Sequence, residues 1–291
     1  MLAGIIGLIF NGVKLDIQFK GGSKISYNYS GDISTSEIEK IAEEILGVAV
    51  TTQTQKSVSG EEMKTVVINI AGSSSLETEK LDKITSEIQA KYPDNTFELY
   101  ETQSVEPYIG KRFFKNGILA LAIAIILIVI WVTIRFKIIS GFSAALTALL
   151  ALAHDILLIF FTFVIFQIPI NDGFIAVILT ILGYSINDTI VIYDKIRYNK
   201  TIHGNKMSIE EIADTSINQC LIRTINTSLM SCGAIALVYI FALIGGLTSV
   251  ANFALPMMVG ILSGCYSSIT LPGTLWVTWQ KISAKKASKK K

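Results

Sequence analysis

The stretch 117–134 reads GILALAIAIILIVIWVTI and contains no charged side chain. An apolar run of this length is about what a helix needs to cross a hydrocarbon layer of ~30 Å. Four further apolar runs follow along the chain, at 141–166, 173–193, 221–243 and 253–277. The sequence therefore predicts an α-helical membrane bundle with five clear transmembrane helices, over residues 113–280.

The composition also favours a membrane protein. Of the 291 residues, 51% are hydrophobic and 16% are charged, whereas a soluble domain has about a quarter charged residues. The formal net charge of +2 is too small to indicate a nucleic-acid partner. The cysteines Cys220, Cys232 and Cys265 lack the spacing of a metal site. We interpret them as packing residues and expect neither a metal nor a cofactor.

The chain begins with an apolar segment that is too short to cross the membrane alone. This segment, residues 1–12, ends at Asn11-Gly12, and a span needs ~20 apolar residues. It lacks the basic leader region and the small-residue cleavage site of a signal peptide. We interpret it as a partial first transmembrane helix or a short anchor.

Residues 13–112 alternate between strand and helix patterns. Period two at 15–19 and 25–29, with a Gly-rich connection, predicts an opening hairpin. Helical spacing, further strands and a second helix follow, and the order after the hairpin is β-α-β-β-α-β. This order predicts an α+β ferredoxin-like domain. The segment shows no pattern typical of catalysis, so we expect a binding or docking domain and not an enzyme.

The distribution of Lys and Arg predicts the orientation of the chain. Basic residues occur at Arg135 and Lys137, in the loop 194–218 and in the tail 281–291, but not at 167–172 or 245–252. Cytoplasmic loops carry the excess of basic residues, and long translocated domains escape the rule. The loop and the tail are therefore predicted to be cytoplasmic, and residues 13–112 extracytoplasmic. Within the loop, we expect a short surface helix from Ile209 toward Asn218.

Three ionisable residues fall inside the predicted spans, where a charge costs perhaps ~3 kcal/mol and usually serves a function. They are Asp155, Asp188 and Arg223. Counting from the cytoplasmic ends of their helices at 1.5 Å per residue, Asp188 lies ~9 Å deep and Arg223 ~6 Å deep. The two are therefore predicted to form an ion pair, fixed or switchable. A supporting polar seam is predicted at Thr180, Tyr184, Asn187 and Asn226.

Other interpretations of these charges remain open. The Asp188–Arg223 pair is either an ion-coupling element or a static link between two helices, and Arg223 alone can instead extend to the membrane surface. Asp155 lies ~21 Å from the cytoplasmic end of its helix. It is either the outward station of a proton path or the acceptor of a fixed hydrogen bond. His154 is interpreted as a core residue.

Five motifs resemble one family. The stretch 15–22, LDIQFKGG, is similar to a conserved G-I-D-F-x-G-G segment, and 105–110, VEPYIG, to V-G-P-x-x-G with Glu106 replacing glycine. His154-Asp155 matches an H-D pair. The stretches 183–197, GYSINDTIVIYDKIR, and 216–224, SINQCLIRT, carry the strongest likeness. Together they resemble the SecD/SecF family of protein-export membrane proteins, in the form found in its SecF branch.

The resemblance implies a six-span bundle with an outer domain between the first two spans, related to the resistance-nodulation-division transporters. It implies a multi-pass subunit of the cell membrane that pairs with SecD. With SecD it would use the proton-motive force to draw a translocating polypeptide through the SecYEG channel. In the family, the residues matching Asp188 and Arg223 are linked to proton movement, and coupling to sodium stays open. The alternatives are a small-molecule exporter of the same superfamily and a static docking subunit.

Overall fold

The chain forms a short first helix, a small α+β domain and a bundle of long helices. A computed structural model describes residues 1–16, 19, 21–48, 50–56, 64–71, 78–105, 107–245 and 247–288. The first helix, α1, spans Leu2–Asn11. The α+β domain contains β1 (Gly22–Tyr29), α2 (Thr35–Leu46), β2 (Val50–Lys56), β3 (Lys64–Ala71), α3 (Thr78–Lys91) and β4 (Phe97–Val105).

The four strands form one antiparallel sheet in the order β2-β3-β1-β4. This is the split β-α-β arrangement of ferredoxin-like folds, so the predicted domain class is confirmed. Helices α2 and α3 are amphipathic, and their apolar residues pack on one face of the sheet, where both surfaces lose contact with water. The core they share contains Ile38, Ala42, Ile84 and Ile88 from the helices and Ile25, Tyr27, Ile68 and Ile70 from the sheet.

The predicted opening hairpin differs from the structure. Strand β1 lies between β3 and β4, so both of its edges are already paired and no place remains for a preceding strand. Leu15 instead forms a parallel bridge with Ile170, outside the α+β domain. Residues 17, 18 and 20 of the predicted first strand lie outside the described residues.

The bundle contains α4 (Pro107–Arg135), α5 (Gly141–Ile165), α6 (Asp172–His203), α7 (Ile209–Ile244), α8 (Thr248–Thr270) and α9 (Pro272–Ser288). Within the described residues, five helical segments are long and apolar enough to cross a membrane. The predicted bundle of five clear spans is therefore confirmed. We call the end with the α5–α6 turn, residues 166–171, the domain end. The end with the connections at 136–140 and 204–208 is the far end.

Helices α6 and α7 are longer than a membrane requires. Their 32 and 36 residues correspond to ~48 Å and ~54 Å, against a hydrocarbon layer of ~30 Å. The short surface helix expected from Ile209 is wrong as a separate element, because α7 continues without a break. Asn199 holds the two helices together beyond the apolar region, since its Nδ2 donates to Ser216 Oγ at 2.8 Å and to Gln219 Oε1 at 3.1 Å.

The apolar run predicted at 253–277 is divided between two helices. Helix α8 ends at Thr270 and α9 begins at Pro272, which lacks the N–H needed to continue a helix. Trp276 at the start of α9 is fully buried, and its Nε1 donates to the Ile139 carbonyl oxygen at 2.8 Å. This contact fastens α9 to the α4–α5 connection, and the predicted tail from residue 281 is helical as far as Ser288.

The partial first span is a helix of ten residues that packs beside α5. Its Gly4 faces Phe161, and a side chain at this position would overlap with the phenylalanine ring. Gly7 also faces α5, but a Cβ atom added there would be in ordinary van der Waals contact with Ile165 and Val164, at 3.4 Å and 3.6 Å. The glycines therefore allow α1 to approach the domain end of α5 closely, which is a common way for helices to pack in membranes.

The core of the α+β domain provides a test of its packing. Ile68 is fully buried in β3, so we expect Ile68→Ala to lower the free energy of unfolding of this domain by about 2–5 kcal/mol through the cavity it leaves. The measurement is the urea dependence of protease cleavage within the domain, in the full chain in detergent. Leu99→Ala on β4 is the control, because Leu99 is 51% exposed. Equal urea midpoints for the two variants would contradict the assigned core.

Candidate functional site

Asp155 on α5 is enclosed by serine hydroxyls inside the bundle. The side chain is 1% exposed. Its Oδ2 accepts hydrogen bonds from Ser185 Oγ on α6 at 2.7 Å and from Ser267 Oγ on α8 at 2.8 Å. Its Oδ1 accepts from Ser263 Oγ at 2.6 Å, and His154 Nδ1 lies 3.3 Å from the same atom. Both carboxylate oxygens are therefore satisfied by protein groups from three helices.

Small residues on α8 allow these hydroxyls to reach the carboxylate. A Cβ atom added at Gly264 would lie 3.1 Å from Ser185 Cβ, and one at Gly260 would lie 2.7 Å from Ile181 Cγ1. Without glycine at these positions, α8 could not approach α6 so closely. The Gly260-x-x-x-Gly264 spacing therefore allows α8 to pack closely on α6, and this packing positions the polar cluster.

A second group of hydroxyls extends the cluster along α6. Ser268 Oγ on α8 lies 3.3 Å from Ser185 Oγ and donates to the Ser185 carbonyl oxygen at 3.0 Å. Thr189 Oγ1 donates to Ser268 Oγ at 3.2 Å. All three residues are buried. A line of hydrogen bonds therefore runs from Asp155 to Thr189, the residue that follows Asp188.

Asp188 differs from Asp155 in its surroundings. Its side chain is 4% exposed, and its Oδ2 atom is buried without a hydrogen-bond partner among the described residues. Two groups on α7, the Ser228 hydroxyl and the Arg223 guanidinium, interact electrostatically with this carboxylate and favour its charged form. Tyr184, one turn before Asp188, donates from its hydroxyl to Ser228 Oγ at 3.1 Å. The Asp188 carboxylate is therefore buried but incompletely bonded.

The ion pair predicted between Asp188 and Arg223 is not formed in the described part of the chain. Arg223 is exposed at the surface of the bundle, whereas Cys220, Thr224 and Ser228 are the α7 residues buried in this region. These three recur at four-residue spacing and define the buried face, and Arg223 lies beside it. Depth along the helix axis was the basis of the prediction, but rotation about the axis decides whether the side chains meet.

The supporting polar seam forms at one of its four predicted positions. Tyr184 contacts α7 through Ser228, as expected. Thr180, Asn187 and Asn226 are exposed, and the Thr180 hydroxyl donates to the Ala176 carbonyl oxygen of its own helix at 2.8 Å. The hydroxyls that surround Asp155 and continue toward Thr189 belong instead to Ser185, Thr189, Ser263, Ser267 and Ser268. Ser263 and Ser267 stand one turn apart beside Gly264, which is a weak signal because serine is common in spans.

A third buried polar contact lies nearer the far end of the bundle. The Tyr193 hydroxyl is 2.7 Å from Thr147 Oγ1, and the carbonyl oxygens of Ala144 at 3.1 Å and Pro272 at 3.4 Å are both within reach of its single proton. It thus joins α5, α6 and the α8–α9 break. Within the described residues, no group of three His, Cys, Asp or Glu side chains is placed to hold a metal ion.

Together these features define a multi-pass membrane protein with buried carboxylates in its bundle and a ferredoxin-like domain at one end. The family model for "Protein export membrane protein SecD/SecF, C-terminal" matches residues 84–282. The protein translocase subunit SecF of Sebaldella termitidis is 35% identical over 275 residues, covering 94% of this chain and 85% of that protein. The chain belongs to the SecD/SecF family of protein-export membrane proteins, as its motifs predicted, and is an accessory subunit of Sec protein translocation.

Two longer proteins show the same likeness. The translocase subunit SecDF of Bacillus subtilis is 33% identical over 289 residues, covering 99% of this chain and 37% of that protein. The crystal structure of SecDF from Thermus thermophilus, described as a translocon-associated membrane protein, matches with a TM-score of 0.77 at 26% identity. That match covers 96% of this chain and 37% of the SecDF chain. This chain therefore corresponds to about a third of each SecDF.

The serine cluster predicts an energetic coupling between Asp155 and Ser267. In a double-mutant cycle of Ser267→Ala and Asp155→Asn, we expect a coupling energy of about 1 kcal/mol, because the hydrogen bond to a carboxylate is lost only once. The measurement is unfolding of the full chain in mixed detergent micelles. Thr270→Ala is the matched control, because the Thr270 hydroxyl bonds only to the Tyr266 carbonyl oxygen of its own helix. A coupling energy of zero would show that the hydroxyl does not stabilise the carboxylate.

Proposed function

We propose that this chain works with a SecD partner and uses the proton-motive force to promote export of polypeptides through the SecYEG channel. The observation that carries the proposal is the contrast between two buried carboxylates. Asp155 has both oxygens hydrogen-bonded, whereas Asp188 Oδ2 is buried and has no hydrogen-bond partner among the residues that the structure describes. The incompletely bonded carboxylate is the one suited to gain and lose a proton.

The physical reason is the energy of an unsatisfied charge. An ionised carboxylate in an apolar bundle is costly unless hydrogen bonds or a counter-charge compensate it. Proton binding at Asp188 removes the charge, and proton release restores it. Each proton that crosses a potential of 100 mV supplies ~2.3 kcal/mol. Several such steps would supply the energy for a useful movement of the α+β domain.

Arg223 provides the counter-charge in this proposal. It lies close enough to act on the Asp188 carboxylate, yet it is exposed and makes no ion pair with Asp188 in the described chain. Its long side chain reaches the ionised Asp188 in one state and withdraws when Asp188 is protonated. The pair is thus a switch between α6 and α7. Asp155, held by its serines, is the second charged station along the hydroxyl line.

Membership of the family and the exposed faces of the bundle support the proposed partners, and the positions of Lys and Arg support the proposed orientation. In the most apolar stretch of α4 only 6% of the residues are buried, and in that of α7 only 17% are buried. A SecD partner covers part of these faces, and lipid covers the rest. The α+β domain lies on the extracytoplasmic side, where it meets the emerging polypeptide, and the far end of the bundle is cytoplasmic.

The apolar groove beside α4 does not favour small-molecule export. A groove of about 430 Å³ between α4 and α6 is lined by apolar side chains, including Leu127, Trp131, Ile186 and Ile190. It opens at the side of the bundle and offers no polar group to orient a substrate. A static docking subunit remains the principal alternative to ion coupling.

The charge of Asp188 provides the test. Asp188→Asn keeps the shape of the side chain but cannot release a proton, so we expect gradient-dependent export to fall by about tenfold or more as ~2.3 kcal/mol per proton at 100 mV is lost. Export is measured in inverted membrane vesicles with SecD and SecYEG, with and without an uncoupler. Asp214→Asn, at an exposed position on α7, is the control. Full gradient-dependent export by Asp188→Asn would reject ion coupling and favour static docking.

A further inference from the structure

The segment that leads from α1 into the sheet is bound to the turn between α5 and α6. The Ile170 N–H donates to the Lys14 carbonyl oxygen at 2.8 Å, and the Asp16 N–H donates to the Ile170 carbonyl oxygen at 3.0 Å. These two bonds form the parallel bridge between Leu15 and Ile170. We call residues 14–16 the strap. Both of its bonds are between backbone groups, so they do not depend on the identity of the side chains.

The motif at 15–22, which begins within the strap, makes a second attachment to the bundle. Phe19 is 6% exposed, and its ring packs edge-on against Phe114 of α4 with 5.4 Å between ring centroids. Gly21 then adopts a φ of +74°, which favours glycine, and β1 begins at Gly22. The motif at 15–22 therefore has a structural reason. It attaches the start of the sheet to the bundle and turns the chain into β1.

The α5–α6 turn is held firmly by its own hydrogen bonds. The Ile168 N–H donates to the Phe163 carbonyl oxygen at 2.9 Å, and Gln167 Nε2 donates to the Val164 carbonyl oxygen at 2.9 Å. Ile168 and Ile170 are 6% and 5% exposed. The turn is thus part of the bundle core and moves with the ends of α5 and α6.

We propose that the strap transmits rearrangements of α5 and α6 to the α+β domain. The inference rests on the proposed function, because α5 carries Asp155 and α6 carries Asp188. The turn joins the ends of these two helices, so a displacement of either helix reaches the strap through Ile170. Because the strap continues toward β1, the central pair of strands in the sheet receives the displacement. The strap is a positioning element and takes no part in proton binding.

The other direct connection to the domain is less suited to this role. Strand β4 is followed closely by α4. In the most apolar stretch of α4, however, only 6% of the residues are buried, against 44% in that of α5 and 50% in that of α6. Although α4 packs against α5, most of its surface is exposed, so α4 lies at the edge of the bundle and not in its core. The Leu15–Ile170 bridge, in contrast, joins the domain to the two helices that carry the carboxylates.

The decisive variant is Ile170→Pro, which removes the N–H that donates to Lys14. In the reconstituted complex with SecD and SecYEG, we expect gradient-dependent export to fall by about tenfold or more, while gradient-driven proton uptake stays at the level of the unmodified complex. Ile170→Val is the matched control, because it keeps the N–H and the buried aliphatic side chain. A structural defect alone would reduce proton uptake and export together.

A cysteine pair tests the strap without proline. Leu15→Cys with Ile170→Cys, in a chain whose three cysteines are replaced by serine, places a disulfide across the bridge. We expect the oxidised protein to retain coupled export, because the strap stays paired as it moves. Loss of export on oxidation and its recovery on reduction would overturn the proposal, as would full export by Ile170→Pro. If Ile170→Pro fails to assemble, the cysteine pair alone decides.

Asp188→Asn measured in parallel separates this inference from the proposed function. If Asp188→Asn loses both proton uptake and export while Ile170→Pro loses neither, the strap proposal fails and the proposed function stands. If Asp188→Asn changes neither quantity, the proposed function fails. Loss of export alone in Ile170→Pro, beside loss of both quantities in Asp188→Asn, supports both.

Discussion

The cost of keeping a carboxylate inside an apolar bundle governs the arrangement of the helices around Asp155. Its oxygens receive hydrogen bonds from serines on α6 and α8, so three helices must meet at one depth. Gly264 makes this meeting possible, because a larger residue would push α8 away from Ser185. The hydrogen bonds to Asp155 therefore depend on the close packing of α8 against α6. Helices α5, α6 and α8 form the centre of the bundle, and α4 and α7 are far more exposed.

Asp188 is a buried carboxylate that lacks the full set of hydrogen bonds that Asp155 receives. One of its oxygens is buried without a hydrogen-bond partner among the described residues, and Arg223 lies beside the buried face of α7 with its side chain exposed. This carboxylate can lose its charge by binding a proton, or gain a further partner through a change in the structure. The two carboxylates therefore have different chemical properties although they lie in neighbouring helices. The hydroxyls of Ser185, Ser268 and Thr189 connect their surroundings.

The sequence predicted the elements better than the contacts between them. Apolar runs and alternating patterns report local burial, so the bundle and the ferredoxin-like order could be predicted. The hairpin predicted from 15–19 and 25–29 is wrong. Alternation of apolar and polar residues cannot show that both edges of β1 are already paired with other strands. Arg223 was placed by depth, but rotation about the helix determines its surroundings. The serines around Asp155 escaped prediction because a hydroxyl in a span usually bonds to its own helix, as Thr180 does.

The length of α6 and α7 has a mechanical consequence. Both helices exceed the hydrocarbon thickness by ~18 Å or more, and Asn199 binds them to each other beyond it. The connection at 204–208 therefore stands on a stiff two-helix stalk in water. A tilt of ~10° about the middle of the bilayer would carry the tip of such a stalk sideways by ~6 Å. When the two helices tilt together, this tip therefore moves further than any part of them inside the bilayer.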